Sequence, residues 1–212
     1  METTDGPPQS PEPTAPADLV APAALAALAA LADLVGLLDR HRPQGPVETA
    51  DHERARRLAD TAGAWDRGTF PLHFTASALI VHPPTRRVLL RWHVRQQAWL
   101  QVGGHGDPGE TLPLDIALRE GREETGLADL TPWPDAALVH LAVVPVPASP
   151  AEPAHEHADL RFLLATGTPD RARPENPASP LEWLTVEEAR QRTTEENLRE
   201  TLDRAARLLP PA

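Results

Sequence analysis

The sequence predicts a mixed α/β (α+β) domain preceded by helices. Alternating apolar residues predict a hairpin of two strands, Phe74 to Val81 and Arg87 to Trp92, around a turn at Pro83–Thr85. A short strand over residues 99–102 leads into a glycine-rich loop and a helix from Pro113 to Thr125, which Gly126 ends. Further strands are predicted over residues 137–144, 158–166 and 181–184, and one or two helices over residues 186–209. Strands on both sides of the loop and helix favour a sheet covered by helices.

The N-terminal part of the chain differs from the rest in composition. Residues 1–18 are rich in Pro, Thr and acidic side chains, so we expect a disordered tail. Pro22 and Asp33 interrupt the apolar segment at residues 19–38, and its leucines follow helical spacing along one stripe. Both features favour an amphipathic helix over a membrane anchor. A second helix is predicted over residues 47–62. We therefore expect a tail at 1–18, a helical extension at 19–68 and the main domain at 69–210.

Composition excludes several classes of function. The formal net charge of −11 argues against nucleic-acid backbones and anionic membranes as partners. The chain has no Cys, which removes disulfides, thiolate nucleophiles and Cys-based zinc sites. It has no Lys either, so Schiff-base chemistry is excluded. We expect a cytoplasmic protein that acts on a small molecule.

Three carboxylates dominate the predicted helix after the glycine-rich loop. Glu120, Glu123 and Glu124 are spaced i, i+3 and i+4, which places them on one helical face. They repel one another and lie near the negative end of the helix dipole. A bound cation would neutralise this arrangement. Because the ligands are hard oxygens, the pattern favours Mg²⁺, or Mn²⁺, over Zn²⁺.

Residues 103–127 resemble the Nudix box, G-x5-E-x7-R-E-U-x-E-E-x-G-U, in which U is a bulky aliphatic residue. The matching positions are Gly104, Glu110, Arg119, Glu120, Glu123, Glu124, Gly126 and Leu127. Two features depart from the pattern: eight residues separate Glu110 from Arg119, and Gly121 replaces the first aliphatic residue. Gly121 costs about 1 kcal/mol relative to Ala in a helix, and we expect another backbone to approach it closely. The resemblance implies an α/β/α sandwich with a mixed sheet.

The resemblance also implies roles for the box residues. Glu120, Glu123 and Glu124 would bind the divalent ions that contact the diphosphate of a substrate, with Glu123 and Glu124 taking part in catalysis. The carbonyl of Gly103 would be a further metal ligand, and Gly104 would allow the tight loop. Glu110 would lie near the metal without binding it directly, and Arg119 would anchor the loop through a carboxylate such as Glu110.

A general base is expected outside the box. Nudix enzymes often place a glutamate in a loop before the late strand that carries a Trp, here Trp183. Glu175 lies in that loop and is the favoured candidate, with Glu152 and Glu156 as competitors. Such a carboxylate would accept a proton from an attacking water.

Candidate substrate contacts are less specific. His105 could reach a phosphate or pack within the loop, and Arg91 could bind a phosphate or lie at the surface. Trp99 could stack on a base or belong to the core. His155 and His157 would share one face of a strand within reach of one metal ion, or form an ordinary polar strand entry.

The function that the resemblance implies is Mg²⁺-dependent hydrolysis of the P–O–P linkage in a nucleoside diphosphate linked to another group. The alternative is a regulatory module that binds a nucleotide without cleaving it. The intact set of box glutamates favours the hydrolase. The N-terminal helices are compatible with such a module and equally with a homodimer interface.

Overall fold

The computed structural model describes residues 22–211, so the predicted tail at 1–18 lies outside the described residues. The helices are α1 (Pro22–Arg40), α2 (Gly45–Ala59), α3 (Pro113–Thr125), α4 (Val186–Arg192) and α5 (Glu196–Leu208). The strands are β1 (Leu72–His82), β2 (Arg87–His93), β3 (Ala98–Leu100), β4 (Val102–Gly104), β5 (Thr131–Pro132), β6 (His140–Val146), β7 (His155–Ala165) and β8 (Leu181–Thr185). None of the helices in this described part is long and apolar enough to cross a membrane.

All of these strands belong to one mixed sheet, which confirms the predicted fold class. Its centre is β1, which pairs in parallel with β7 and antiparallel with β2 and β4. The strand predicted over residues 99–102 is in fact two strands: β3 pairs with β2, whereas β4 pairs with β1. The break falls at Gln101, where the chain passes from one neighbouring strand to the other.

The two faces of the sheet are covered by different helices. In β1, Phe74, Ala76, Ala78 and Ile80 belong to the core that includes α3, α1 and α2. The residues between them point the other way, because side chains alternate along a strand. At the end of β1 these opposite residues join the core formed with α4 and α5. The arrangement is the expected α/β/α sandwich.

The N-terminal helices share the core of the sheet. Leu34 and Leu38 of α1 and Leu58 of α2 pack in the same apolar cluster as the α3 face. On α2, the Glu48 carboxylate is buried and accepts hydrogen bonds of 2.8 Å from both terminal nitrogens of Arg204 in α5. This ion pair ties the second helix to the last one.

Helix α3 has the predicted bounds because both of its end signals are local. Pro113 occupies the first turn, and Gly126 ends the helix in the left-handed conformation with φ of 67°. The extra residue of the box lies in the loop before Pro113, so the carboxylates keep their helical spacing. The expectation for Gly121 was wrong in one respect. A Cβ there would meet the side chains of Leu130, at 2.9 Å, and Leu164, not a backbone.

Candidate active site

Arg119 joins the glycine-rich loop to three carboxylates. Its Nε donates to both carboxylate oxygens of Glu110, at 3.2 and 3.0 Å, and its Nη2 donates to the carbonyl of His105 at 2.8 Å. Its Nη1 lies 3.1 Å from Glu120 and 3.0 Å from Glu123. One guanidinium therefore fixes the loop to α3 and sets the positions of two of the three box glutamates.

Glu124 is the most buried of the three box glutamates, with a side chain that is 12% exposed. Its carboxylate accepts a hydrogen bond of 3.2 Å from the backbone N–H of Gly103 and lies 3.1 Å from Nη1 of Arg91. Burial raises the pKa of Glu124 to about 7, and the charges of Glu120 and Glu175 add to this rise. Arg91 and the Gly103 N–H act against it without cancelling it. Burial therefore disfavours the ionised form of Glu124 more than its two partners favour it.

Two glycines make room for these carboxylates. A Cβ at Gly104 would lie 2.6 Å from Oε1 of Glu120, so the carboxylate rests directly on the glycine. Gly103 has φ of 145°, and a Cβ there would lie 2.3 Å from Cβ of Ser77 on the paired strand β1. Neither position has space for a side chain. Burial also raises the pKa of Glu120 above its usual range, although Arg119 opposes this.

The arrangement fits a divalent cation bound by oxygen ligands. Two poorly solvated carboxylates with raised pKa values, Glu120 and Glu124, project from one face of α3, with the exposed Glu123 beside them. Carboxylate oxygens are the ligands that Mg²⁺ and Mn²⁺ prefer. A cation there would offset the burial, and the smaller repulsion between carboxylates, that raise these pKa values.

Of the three candidate bases, Glu175 lies nearest to the box helix. Its backbone N–H donates to the carbonyl of Glu124 at 3.3 Å, and its side chain is exposed. Glu152 instead pairs with Arg67 at 2.6 Å, and Glu156 pairs with Arg54 of α2. The chain therefore brings Glu175 to the end of α3 and holds the two competitors elsewhere.

The predicted substrate contacts separate into two places. Arg91 reaches Glu124, as described, and its buried Nε has no hydrogen-bond partner among the described residues. Trp99 packs against the core of the opposite sheet face, where Arg192 of α4 lies 5.2 Å above its ring. The imidazole of His105 also turns away from α3 and meets His73 at 3.0 Å between their Nε2 atoms. The structure brings neither ring to the carboxylates.

His73 is a polar residue of interest that the sequence analysis missed. It is fully buried in β1, directly opposite His157 of the parallel strand β7. Burial lowers the pKa of His73, and it lowers that of His105 to about 4 and that of His157 to about 3. The pairing of β1 with β7 brings His73 to His157, and the pairing of β4 with β1 brings His105 beside them, so no local signal could have found the group.

Comparisons with known proteins identify the family and support the fold of this chain. The NUDIX domain family model matches residues 71–205, more than half of the chain, whereas a search of curated proteins finds no match. The C. elegans Ap4A hydrolase binary complex is similar in structure, with a TM-score of 0.51 and 20% identity over 64% of this chain and 96% of that one. A NUDIX family hydrolase from Clostridium perfringens has a TM-score of 0.47 and 28% identity, over 62% of this chain and 96% of that one.

A third solved structure, the E. coli dihydroneopterin triphosphate pyrophosphohydrolase, has a TM-score of 0.48 and 19% identity, over 63% of this chain and 92% of that one. The Ap4A hydrolase likeness supports the fold, and the family model supports the relationship. The chain therefore belongs to the NUDIX domain family.

Proposed function

We propose that the protein hydrolyses the P–O–P linkage of a nucleoside diphosphate joined to another group, with Mg²⁺ or Mn²⁺ as cofactor. The observation that carries this proposal is the placement of Glu120, Glu123 and Glu124 on one face of α3 beside the glycine-rich loop, where burial raises the pKa of Glu124 to about 7. When bound, a divalent cation neutralises phosphoryl charge and makes water more acidic. The two products each carry a phosphate.

In this proposal the box residues hold the cation and the loop. Glu120, Glu123 and Glu124 provide the carboxylate ligands from one face of α3, and the carbonyl of Gly103 is a further oxygen ligand. Arg119 acts on geometry, because its guanidinium nitrogens donate to three glutamates and to the carbonyl of His105. Removing the Arg119 guanidinium would therefore change the relative positions of these carboxylates.

Arg91 is proposed as a phosphate contact. Nη1 of Arg91 lies 3.1 Å from Oε1 of Glu124, and this ion pair would weaken if Glu124 held the cation. Release from this pair frees a group whose Nε is already buried without a partner. A phosphate oxygen supplies the acceptor that the buried donor lacks, and Arg is well suited to that geometry.

Glu175 is proposed as the general base. Its backbone N–H donates to the carbonyl of Glu124, its side chain is exposed to water, and its charge adds to the raised pKa of Glu124. It accepts a proton from the attacking water as the new O–P bond forms. The bridging P–O bond breaks, and the departing phosphate takes its proton from solvent.

The test is a panel of diphosphate compounds, assayed for release of phosphate and nucleotide with Mg²⁺, with Mn²⁺ and with EDTA. The panel includes ADP-ribose, dinucleoside polyphosphates, nucleotide sugars and nucleoside triphosphates. Glu124→Gln is compared with Glu53→Gln, which changes an exposed glutamate on α2. We expect metal-dependent turnover that falls at least about 100-fold in Glu124→Gln and is unchanged in Glu53→Gln.

Glu175→Gln separates the base from the metal ligands. A base role predicts a lower kcat with unchanged Mn²⁺ affinity, because Glu175 is not proposed to bind the cation. Turnover that persists in EDTA would contradict the metal-dependent reaction. If no compound is cleaved while a nucleotide raises the melting temperature, the chain is a binding module and the hydrolase proposal is wrong.

A further inference from the structure

A cluster of four histidines lies on the sheet face opposite α3. His73 of β1 and His157 of β7 are paired across the parallel strands, His155 begins β7, and His105 follows β4. The ring centroids of His73, His105 and His157 are between 4.8 and 5.1 Å apart, and that of His155 lies 5.0 Å from His157. The cluster does not overlap the box glutamates, which project from α3 on the other face.

The ring nitrogens converge at the spacing of a metal site. One ligand nitrogen from each of His73, His105 and His157 lies within 4.8 Å of the others. The Nε2 atoms of His73 and His105 are 3.0 Å apart. Two imidazoles on one ion with metal–nitrogen bonds of about 2.0–2.1 Å have nitrogens roughly 3–4 Å apart. The widest nitrogen–nitrogen distance, up to 4.8 Å, exceeds this range by about 1 Å. Small side-chain rotations would therefore bring all three nitrogens onto one ion.

Backbone carbonyls fix the orientation of two of the rings. Nδ1 of His73 lies 2.9 Å from the carbonyl of Thr69, and Nδ1 of His155 lies 2.8 Å from the carbonyl of Pro153. A carbonyl only accepts, so both Nδ1 atoms carry a proton and donate it. The lone pair of each ring is then on Nε2, which faces a neighbouring imidazole. A hydrogen bond from the other ring nitrogen to a carbonyl is the usual support of a metal-binding histidine.

The donor set selects the kind of ion. Imidazole nitrogen suits Zn²⁺, Ni²⁺ and Cu²⁺, whereas Mg²⁺ prefers oxygen ligands. The chain has no Cys that would compete for such an ion. Phe70 lies against the cluster, with its ring edge-on to His155 at 5.3 Å between centroids.

We propose that His73, His105 and His157 bind one transition-metal ion of the Zn²⁺ type. His155, whose Nε2 lies 3.0 Å from that of His157, could replace His157 as a ligand. This site is distinct from the carboxylate site on α3. The two are connected through one residue: the ring of His105 belongs to the histidine cluster, whereas its carbonyl accepts from Arg119. An ion held by the histidines therefore fixes the glycine-rich loop from its far side.

The binding test uses the full chain purified without a histidine tag and stripped with EDTA. We expect it to bind one Zn²⁺ per chain, measured by calorimetry and by metal analysis after gel filtration, in the presence of millimolar Mg²⁺. His105→Gln and His157→Gln should each weaken this binding at least about tenfold. His82→Asn is the matched control, since His82 lies at the other end of β1 and its Nδ1 is hydrogen-bonded to the hydroxyl of Thr85, away from the cluster.

Glu124→Gln distinguishes the two sites. It should leave Zn²⁺ stoichiometry and affinity unchanged, because Glu124 lies on the other sheet face. Circular dichroism and the melting temperature in EDTA check that each variant folds. Absence of stoichiometric Zn²⁺, or loss of it in Glu124→Gln with retention in His157→Gln, would overturn the proposal. The close imidazoles would then be hydrogen-bonded pairs.

Hydrogen exchange tests the effect on the loop. Zn²⁺ should slow the exchange of amides in residues 103–110 in the wild type and in Glu124→Gln, but not in His157→Gln. This readout does not depend on a substrate, so it holds whether or not the proposed hydrolysis is correct. Binding without slower exchange in the loop would overturn the link through His105.

Discussion

Gly104→Ala tests whether Glu120 must rest where it does. The new Cβ would lie 2.6 Å from Oε1 of Glu120, whereas ordinary contacts at a Cβ begin at 3.4 Å. The carboxylate must therefore retreat by about 0.8 Å. Distances in a metal site hold to within about 0.2 Å, so a shift of this size removes one ligand from its place. We expect Mn²⁺ affinity to fall about 10- to 100-fold, or about 1.4–2.7 kcal/mol.

The assay is a Mn²⁺ titration followed by electron paramagnetic resonance, which needs no substrate. The melting temperature should change little, because Gly104 does not have a positive φ and the carboxylate it displaces is a movable side chain. Gly167→Ala is the matched control, since its Cβ would make an ordinary contact of 3.5 Å with Asp129. A Gly104→Ala protein that binds Mn²⁺ as tightly as the wild type refutes the reasoning, and so does an equal loss in Gly167→Ala.

Three further predictions concern stability. Gly103→Ala should destabilise the fold by more than about 3 kcal/mol in urea titration, because its Cβ would overlap Ser77 and its φ of 145° disfavours any side chain; a loss below 1 kcal/mol would contradict this. Glu48→Gln should cost about 3–5 kcal/mol in the same titration, since it leaves the buried Arg204 without its main counter-charge; a neutral result would show that the pair can relax. Acid should destabilise the protein through His140, whose pKa is lowered to about 3 by burial and by the nearby Arg161 and Arg204. Below about pH 6.5 the unfolded chain protonates this residue and the folded one does not, so stability falls by about 1.4 kcal/mol per pH unit. His140→Gln should lose about 2 kcal/mol less than the wild type between pH 7 and pH 5, and equal losses would exclude this origin.

Much of the fold follows from local signals in the sequence. Helix α3 begins at Pro113 and ends before Gly126, as predicted, because proline at the first turn and glycine at the end act over a few residues. The single strand predicted over residues 99–102 was wrong, because its division into β3 and β4 depends on contacts distant in the sequence. Whether those residues pair with β1 or β2 depends on distant strands, and the division at Gln101 has no local mark.

The sequence by itself determined the family and the shared face of the three box glutamates, since helical spacing fixes side-chain direction within one element. Only the tertiary structure decided which groups from other elements meet these carboxylates. The pairing of Arg91 with Glu124 and the place of Glu175 depend on strand order and loop path.

The histidine cluster shows the same division. Sequence placed His155 and His157 on one face of a strand, which requires only the alternation of side chains. It gave no indication of His73 or of the direction of the His105 ring. Those depend on the parallel register of β1 with β7 and on the antiparallel pairing of β4 with β1. Contacts across a sheet join residues far apart in the chain, and their partners are chosen by packing of the whole domain rather than by any local pattern.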